Sequence, residues 1–315
     1  MDLKLIGGKA KNLLELQNFK INVPPFFVID TTHFDQFFKE IKSTINNLIE
    51  KSNLNEVNDI QILSEQIQQI VLKNEFDSSL INYLTEQTFN LENDYFSVRS
   101  SAIDEDGEHH SFAGLMDSYL YIKGKDAIIE HIKKCFASAY SDRALSYRHF
   151  HKLDILDIKL AVIIQKMVFG TVSGILFTGN PLNNNPDEMV ISANYGIGEG
   201  VVSGVLNCDS WVLDSDGKII ESKIVLKEEM ISFNKKSGFG TRSEEVFLDK
   251  RELSSLSFNQ IEELYKIGKT IEELKNSVPQ DIEWTILDNS LYILQTRPIT
   301  TIRVKLTKKI KNDLG

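Results

Sequence analysis

Asp281-Ile282-Glu283-Trp284-Thr285-Ile286-Leu287 and Ser290-Leu291-Tyr292-Ile293-Leu294-Gln295-Thr296-Arg297-Pro298 flank the dipeptide Asp288-Asn289 near the end of the chain. Two short apolar runs joined by such a pair predict a hairpin. Successive residues of a strand face opposite sides, so Gln295 and Arg297 point the same way. Once the runs pair, Glu283 can come to that face. A carboxylate and an amide oxygen can hold a hard divalent cation, and a guanidinium beside them can grip phosphate bidentately. The pattern fits the metal–triphosphate end of a nucleotide site. It fits an edge hairpin with a surface salt bridge equally well.

The sequence has 315 residues, 42% hydrophobic and 25% charged, enough for one large or two medium domains. A net charge of −10 argues against non-specific nucleic-acid binding but leaves room for a local basic cleft. Cys135 and Cys208 lie far apart without metal-like spacing and read as free thiols in a reducing compartment. No apolar run approaches ~20 residues, so no membrane span is expected. Met1-Asp2-Leu3-Lys4 lacks the apolar core of a signal peptide. The expectation is a cytoplasmic protein that engages neither nucleic acid nor membrane.

The first half reads as helical. Ala10, Leu13, Leu14 and Leu16 mark a helix from Gly8, which Val23-Pro24-Pro25 ends before a buried strand at Phe26–Ile29. Residues 31–90 are amphipathic, with Ile60, Leu63, Ile67, Ile70 and Val71 at helical spacing. Strands are predicted at Tyr95–Arg99 and Tyr119–Ile122, and one helix over Asp126–Arg148. After Asp157 the character changes. Leu160–Ile164, Gly174–Thr178, Met189–Ala193, Ser210–Leu213 and Ile219–Val225 are short strands split by Gly, Pro, Asn and Asp. Ser257-Phe258-Asn259-Gln260 opens a helix with a capping-box pattern, running to about Lys275. The reading is an α+β protein: one domain over 1–305, with a helix-rich lobe at about 1–157, a strand-rich lobe at about 158–305, a cleft between them and a basic tail at 306–315.

Several segments carry candidate chemistry, each with a plain alternative. Gly7-Gly8-Lys9 precedes a helix, where backbone and lysine can approach an anion; an ordinary turn looks the same. The spacing is not that of a Walker A loop. Arg99 ends a strand before Asp104-Glu105-Asp106, and suits either a phosphate clamp or a counter-charge to those acids. Ser111-Phe112-Ala113-Gly114-Leu115-Met116-Asp117-Ser118 suits a loop laid over phosphates, or a simple turn. Gln165-Lys166-Met167-Val168 can meet an adenine ring and its edge, or be a core strand with one polar residue. None of the six histidines lies beyond residue 151, and His109-His110 reads as solvated loop rather than metal site.

In order and spacing these strings resemble the nucleotide-binding domain shared by phosphoenolpyruvate synthase, pyruvate phosphate dikinase and rifampin phosphotransferase. The resemblance runs from Gly7 to about Thr300. It rests on Gly7-Gly8-Lys9-Ala10, Val98-Arg99-Ser100-Ser101-Ala102, Glu105-Asp106, Ser111-Phe112-Ala113-Gly114, Asp142-Arg143-Ala144, Gln165-x-Met167-Val168, Ser173-Gly174, Tyr195-Gly196-x-Gly198-Glu199, Asp281-Ile282-Glu283-Trp284 and Gln295-x-Arg297-Pro298. It implies an ATP-grasp-like fold with ATP in the cleft between lobes. It implies that Lys9, Arg99 and Arg297 grip phosphate, that Gly114 and Ser118 belong to the phosphate-covering loop, and that Gln165, Met167 and Val168 meet adenine. Glu283 and Gln295 would be Mg2+ ligands. The chain departs from the pattern at Leu115, where many members have Gln, at Ser118, often Thr, and at Asn207-Cys208-Asp209, which replaces a common Pro-Asp.

The function so implied is an ATP-dependent phosphotransferase module. It would bind Mg-ATP and transfer phosphate to a histidine on a separate domain or subunit, for delivery to a small-molecule acceptor. This sequence ends about where full-length relatives continue into the histidine-bearing domain. A stand-alone kinase or ligase, a non-catalytic nucleotide-sensing module and an excised fragment are the alternatives.

Overall fold

The computed structural model describes residues 2–87, 89–103, 106–107, 110–111 and 116–302, giving only the backbone at 106, 107, 110 and 111. Gly114, the His109-His110 side chains and the 306–315 tail lie outside what is described. The chain divides into two compact units. One comprises Met1–Leu14, Pro24–Met167 and Asn234–Gly240; the other comprises Glu15–Val23, Val168–Phe233 and the chain from Thr241 onward. Helices and strands are mixed in both, an α+β chain.

α1 (Gly7–Asn18), of which the part up to Leu14 falls in the first unit, leads to that unit's β1 (Phe26–Ile29). The amphipathic stretch over 31–90 forms four helices: α2 (Thr31–Phe38), α3 (Lys42–Lys51), α4 (Val57–Lys73) and α5 (Ser78–Glu86). Asp30 and Asp77 cap α2 and α5 by accepting from backbone amides, which fixes where those helices start. Then come β2 (Phe96–Ala102), the short pair β3 (Asp106–Gly107) and β4 (His110–Ser111), and β5 (Ser118–Ile122). The helix expected over Asp126–Arg148 is two, α6 (Lys125–Ser138) and α7 (Asp142–Phe150). Ser141 breaks it: its backbone is extended (ψ 155°) and its side chain accepts from Ala144 N–H, starting a new helix. β6 (Leu160–Lys166) completes an antiparallel sheet of order β1-β6-β2-β5. β6 therefore belongs to this unit, whereas the change in composition comes before it, at Asp157. One face of the sheet is apolar. Phe96, Val98, Val162 and Ile164 pack into a core with Phe34, Phe37, Phe38 and Phe136, and α4 adds Ile60, Leu63, Ile67 and Val71. Each such side chain contributes roughly 1.5–3 kcal/mol on burial. The Cys135 thiol lies in this core, 3.7 Å from Val98 O, and burial pushes its pKa up.

The second unit is built on a six-stranded antiparallel sheet. Its strands are β7 (Val172–Phe177), β8 (Met189–Tyr195), β9 (Asp209–Leu213), β10 (Ile219–Lys223), β13 (Gln280–Leu287) and β14 (Ser290–Pro298), in the order β10-β9-β8-β7-β13-β14. The short α8 (Glu199–Val202) follows β8. A separate ribbon, β11 (Glu229–Phe233) with β12 (Thr241–Glu245), joins the Gly196–Ile197 turn through Ile197 N–H to Ile231 O at 2.9 Å. The sequence gives no cue to that ribbon, because Thr241-Arg242-Ser243-Glu244-Glu245 has no apolar alternation. α9 (Phe258–Leu274) starts with the expected capping box between Ser257 and Gln260. It buries Ile261, Leu264 and Ile271. Gly268 lets it lie close to the sheet, since a Cβ there would sit 2.8 Å from Leu176 Cδ2.

Asp209 and Lys227 form an ion pair with neither side chain exposed. Lys227 Nζ donates to Asp209 Oδ1 (2.7 Å) and to Val225 O (2.9 Å). Val225 N–H reaches Asp209 Oδ1 at 3.0 Å, and Ser255 N–H reaches Oδ2 at 2.8 Å. Next to it, Cys208 is half-buried, its thiol pushed up to about 11 by burial. The pair ties two irregular segments to the start of β9, and removing one partner strands a charge in the interior. Lys227→Met should therefore destabilise the protein by about 3–5 kcal/mol in urea unfolding. A loss well under 1 kcal/mol would mean that water reaches Asp209.

Candidate functional site

The candidate residues fall into two groups, one in each unit. The first lies on the polar face of the β1-β6-β2-β5 sheet. Arg99 pairs with Ser118 on β5 and Ile163 on β6, and Ser97 pairs with Gln165. Direct partners share a face and every second residue returns to it, so Arg99, Ser118 and Gln165 stand together, opposite the face that carries Val98 and Ile164. Arg99 Nη1 reaches Gln165 Oε1 at 3.5 Å. Gln165 is 2% exposed, and its Nε2 has no hydrogen-bond partner among the described residues. A buried amide donor left open is costly unless something accepts from it.

The start of α1 joins this group through Ser101. Its hydroxyl donates to Ile6 O (2.8 Å) and accepts from Ala10 N–H (3.2 Å). Gly7 has φ +71°, and a Cβ there would meet Ser101 O at 2.3 Å, so only glycine allows this approach. The result brings Lys9 Nζ to within 3.1 Å of Ser100 O. Met167 ends the group. Its N–H is donated to Tyr95 O (2.8 Å) and that of Lys166 to Pro25 O (2.8 Å), so neither amide is open to a base edge. Val168 falls in the other unit.

The second group stands on the β13–β14 hairpin. Asp288 and Asn289 both take positive φ (49° and 60°), giving a two-residue turn whose twist suits the strands. Counting out from that turn, Leu287 pairs with Ser290, Ile286 with Leu291, Thr285 with Tyr292 and Trp284 with Ile293. An unbroken ladder would next set Glu283 opposite Leu294. Instead the register shifts between Glu283 and Trp284, and Glu283 pairs with Gln295 and Asp281 with Arg297. Leu294 is the extra residue of a β-bulge. The bulge brings Gln295 and Arg297 to the face of Glu283; without it they would lie on the other side. The expected carboxylate–amide–guanidinium face forms, through a register shift that spacing from the turn does not reveal.

Sequence reading assigned no role to Asp281, although its placement two residues before Glu283 puts it on the same face. Arg297 donates to Asp281 Oδ2 through Nε (2.8 Å) and Nη2 (2.7 Å). Asp281 is buried, and Arg297 is about two-fifths exposed. Burial raises the Asp281 pKa above the ordinary 3.8; Arg297 pulls it down and the Glu283 charge nudges it up. Among the described residues no three or more His, Cys, Asp or Glu gather as a metal site. Glu283 and Gln295 nevertheless offer two oxygens on one face, a donor set that suits a hard cation whose other ligands are phosphate oxygens and water.

Residues 3–314 match the family model described as pyruvate phosphate dikinase, AMP/ATP-binding domain. Rifampicin phosphotransferase of Bacillus subtilis is 37% identical over 305 residues, covering 95% of this chain and 35% of that protein. A probable phosphoenolpyruvate synthase of Methanocaldococcus jannaschii is 34% identical, covering 99% of this chain and 27% of its own length. The phosphoenolpyruvate synthase of Pyrococcus furiosus is 33% identical, with 97% and 43% covered. The chain thus spans between about a quarter and under half of these relatives. A solved D-alanine–D-alanine ligase from Helicobacter pylori overlays with a TM-score of 0.39 at 12% identity, covering 97% of this chain and 58% of that one. That overlay is too loose to argue from. No described helix is long and apolar enough to cross a membrane.

The Asp281 carboxyl gives a pH test. Its folded pKa is raised, so its contribution to stability is fully present below the unfolded value of 3.8 and is lost as pH rises through the folded value. Asp281→Asn removes that titration. The unfolding free energy of wild type minus variant should fall as the pH rises above about 4 in urea titrations. A difference that stays flat as the pH rises would show that burial does not raise this carboxyl.

Proposed function

This chain belongs to the family of pyruvate phosphate dikinase AMP/ATP-binding domains, and from that premise we propose that it binds Mg-ATP and transfers phosphate to a histidine on a separate domain or subunit. The observation that carries this reading is the pairing of Glu283 with Gln295 on the face that also holds Arg297. Two oxygen donors for a cation beside a phosphate-gripping guanidinium are what a metal-bound triphosphate requires. Mg2+ would be held by Glu283 and Gln295, and when bound it would neutralise charge on the phosphate oxygens.

The resemblance assigns the remaining contacts to residues on the polar face of the first unit. Lys9 and Arg99 give cationic charge to the phosphates, and Ser118 a hydroxyl donor. The open Nε2 of Gln165 is a donor for a ring nitrogen of adenine, with Met167 and Val168 against the ring. Gly114 takes its place in the phosphate-covering loop by resemblance alone. Asp281 holds Arg297 in a fixed orientation before phosphate arrives, which lowers the reorganisation needed to grip it. Phosphoryl transfer needs chiefly such positioning and charge neutralisation.

A histidine acceptor from elsewhere is consistent with where the described histidines lie. Among the described residues, His33 contacts Asp30, His131 packs on Tyr119, His149 meets Asn55 and His151 packs on Tyr147, and none of these partners is a residue assigned to the nucleotide. Attack of an imidazole nitrogen on the β-phosphorus would form the N–P bond and break the bond to the α-phosphate oxygen, releasing AMP; the terminal phosphoryl of the resulting pyrophosphohistidine would then pass to water, giving phosphate, or to inorganic phosphate, giving pyrophosphate. The names of the relatives, rifampicin phosphotransferase and phosphoenolpyruvate synthase, favour a small molecule as the final acceptor.

ATP labelled separately at the β- and γ-phosphates, with and without a candidate histidine-bearing partner, tests the proposal. The β-label should appear on the partner and the γ-label in phosphate or pyrophosphate. Both labels staying in ATP when the partner is present, or transfer of the γ-label to a small molecule by this chain alone, would overturn it. Arg297→Ala should lower transfer roughly 10³-fold or more in a protein that still folds, with a lowered melting temperature because the buried Asp281 loses its partner. Undiminished turnover in that variant would remove Arg297 from the site. Glu283→Gln should weaken Mg-ATP binding more than binding of metal-free ATP in calorimetry; equal losses would count against a metal role.

A further inference from the structure

Ser100 is fully buried at the end of β2 and makes three separate contacts. Its carbonyl accepts from Lys9 Nζ at 3.1 Å. Its hydroxyl and its N–H both donate to Asp117 O, at 3.1 and 3.4 Å. Asp117 is held from the other side by α6, where Ser138 Oγ accepts from Asp117 N–H at 3.2 Å while donating to Cys135 O at 2.8 Å. The Asp117 carboxylate accepts from Tyr119 OH at 2.8 Å. Both polar groups of the Asp117 peptide backbone are therefore met by serines, immediately before Ser118, the residue opposite Arg99. Neither serine faces the ligand side: Ser100 alternates with Arg99 along β2, and Ser138 lies buried in α6.

We propose that Ser100 and Ser138 are positioning residues for the phosphate end of the nucleotide: together they fix Asp117–Ser118 against the strand end that receives Lys9. This rests on the reading of Lys9, Arg99 and Ser118 as phosphate-binding residues. Through one residue, Ser100, the placement of the lysine and the placement of the Ser118 hydroxyl become a single constraint. Loosening it lets both move, and a multiply charged ligand suffers most, because its binding depends on several donors converging at once. The proposed contacts to the base, Gln165 on β6 with Met167 and Val168 just after it, do not pass through Asp117.

The test uses the full chain with Mg-ATP and with adenosine, which has the base but no phosphate, in calorimetry of wild type, Ser100→Ala, Ser138→Ala and Lys9→Ala. Each serine variant should bind Mg-ATP roughly fivefold more weakly, the scale of one neutral hydrogen bond, with adenosine affinity unchanged. Ser138→Ala decides the matter should Ser100→Ala fold poorly, because alanine suits a helix and the change lies on another element. Equal losses for ATP and adenosine would mark the serines as merely structural and overturn the proposal. So would wild-type ATP affinity in both serine variants while Lys9→Ala weakens it. ATP affinity unchanged in Lys9→Ala would overturn the phosphate-site reading itself, and this inference with it.

Discussion

One extra residue in one strand decides the chemistry of the hairpin. The Asp288-Asn289 turn sets a register that would place Glu283 opposite Leu294, and Leu294 interrupts it. Because side chains alternate with a period of two, this single shift determines whether a carboxylate shares its face with a leucine or with an amide and a guanidinium. The shift is held from both sides. On one flank β13 pairs with β7 from Asp281 to Ile286 without interruption, so the irregularity is confined to β14. On the other, Asn22 Nδ2 donates to Leu291 O at 2.8 Å and Ile293 N–H to Asn22 O at 2.9 Å, just before the bulge. The bulged strand bends where its edge is fastened to another part of its own unit.

The first unit solves a related problem by giving its sheet two unlike faces. Phenylalanines and aliphatic residues from six helices and four strands form the core on one side. The other carries Arg99, Ser118, Gln165 and the start of α1. Strand alternation alone separates Val98 from Arg99 and Ile164 from Gln165, so burying the apolar set fixes the direction of the polar set. The energy for this comes from the core, while the specific placement comes from a few short hydrogen bonds around Ser100 and Ser101. These two neighbours point to opposite sides of β2, one toward Asp117 and one toward α1.

What could be read in the sequence was local. The turn at Asp288-Asn289, the capping box at Ser257 and the strands around Arg99 and Tyr119 are each set by a few neighbouring residues. What could not be read depended on partners far along the chain. β6 looks like the first strand of a strand-rich half, yet it pairs with β1 and β2, because its apolar run completes their sheet. Leu294 has no mark of a bulge. Asp209 stands out in sequence only as a departure from a common Pro-Asp, and its Lys227 partner could not be guessed from eighteen residues away. The break at Ser141 does carry a local signal, a capping serine with Asp142 in the first turn of the next helix.

The two cysteines are divided evenly, with Cys135 in the first unit and Cys208 in the second. Both thiols are held protonated by burial, and only the thiolate reacts quickly with alkylating or disulfide reagents. Cys135 can be modified only when the phenylalanine core around it opens, whereas half-buried Cys208 needs a smaller excursion near β9. The polypeptide therefore carries one native kinetic probe per unit. The two modification rates, followed side by side, would tell whether the halves loosen together or separately, with no label added.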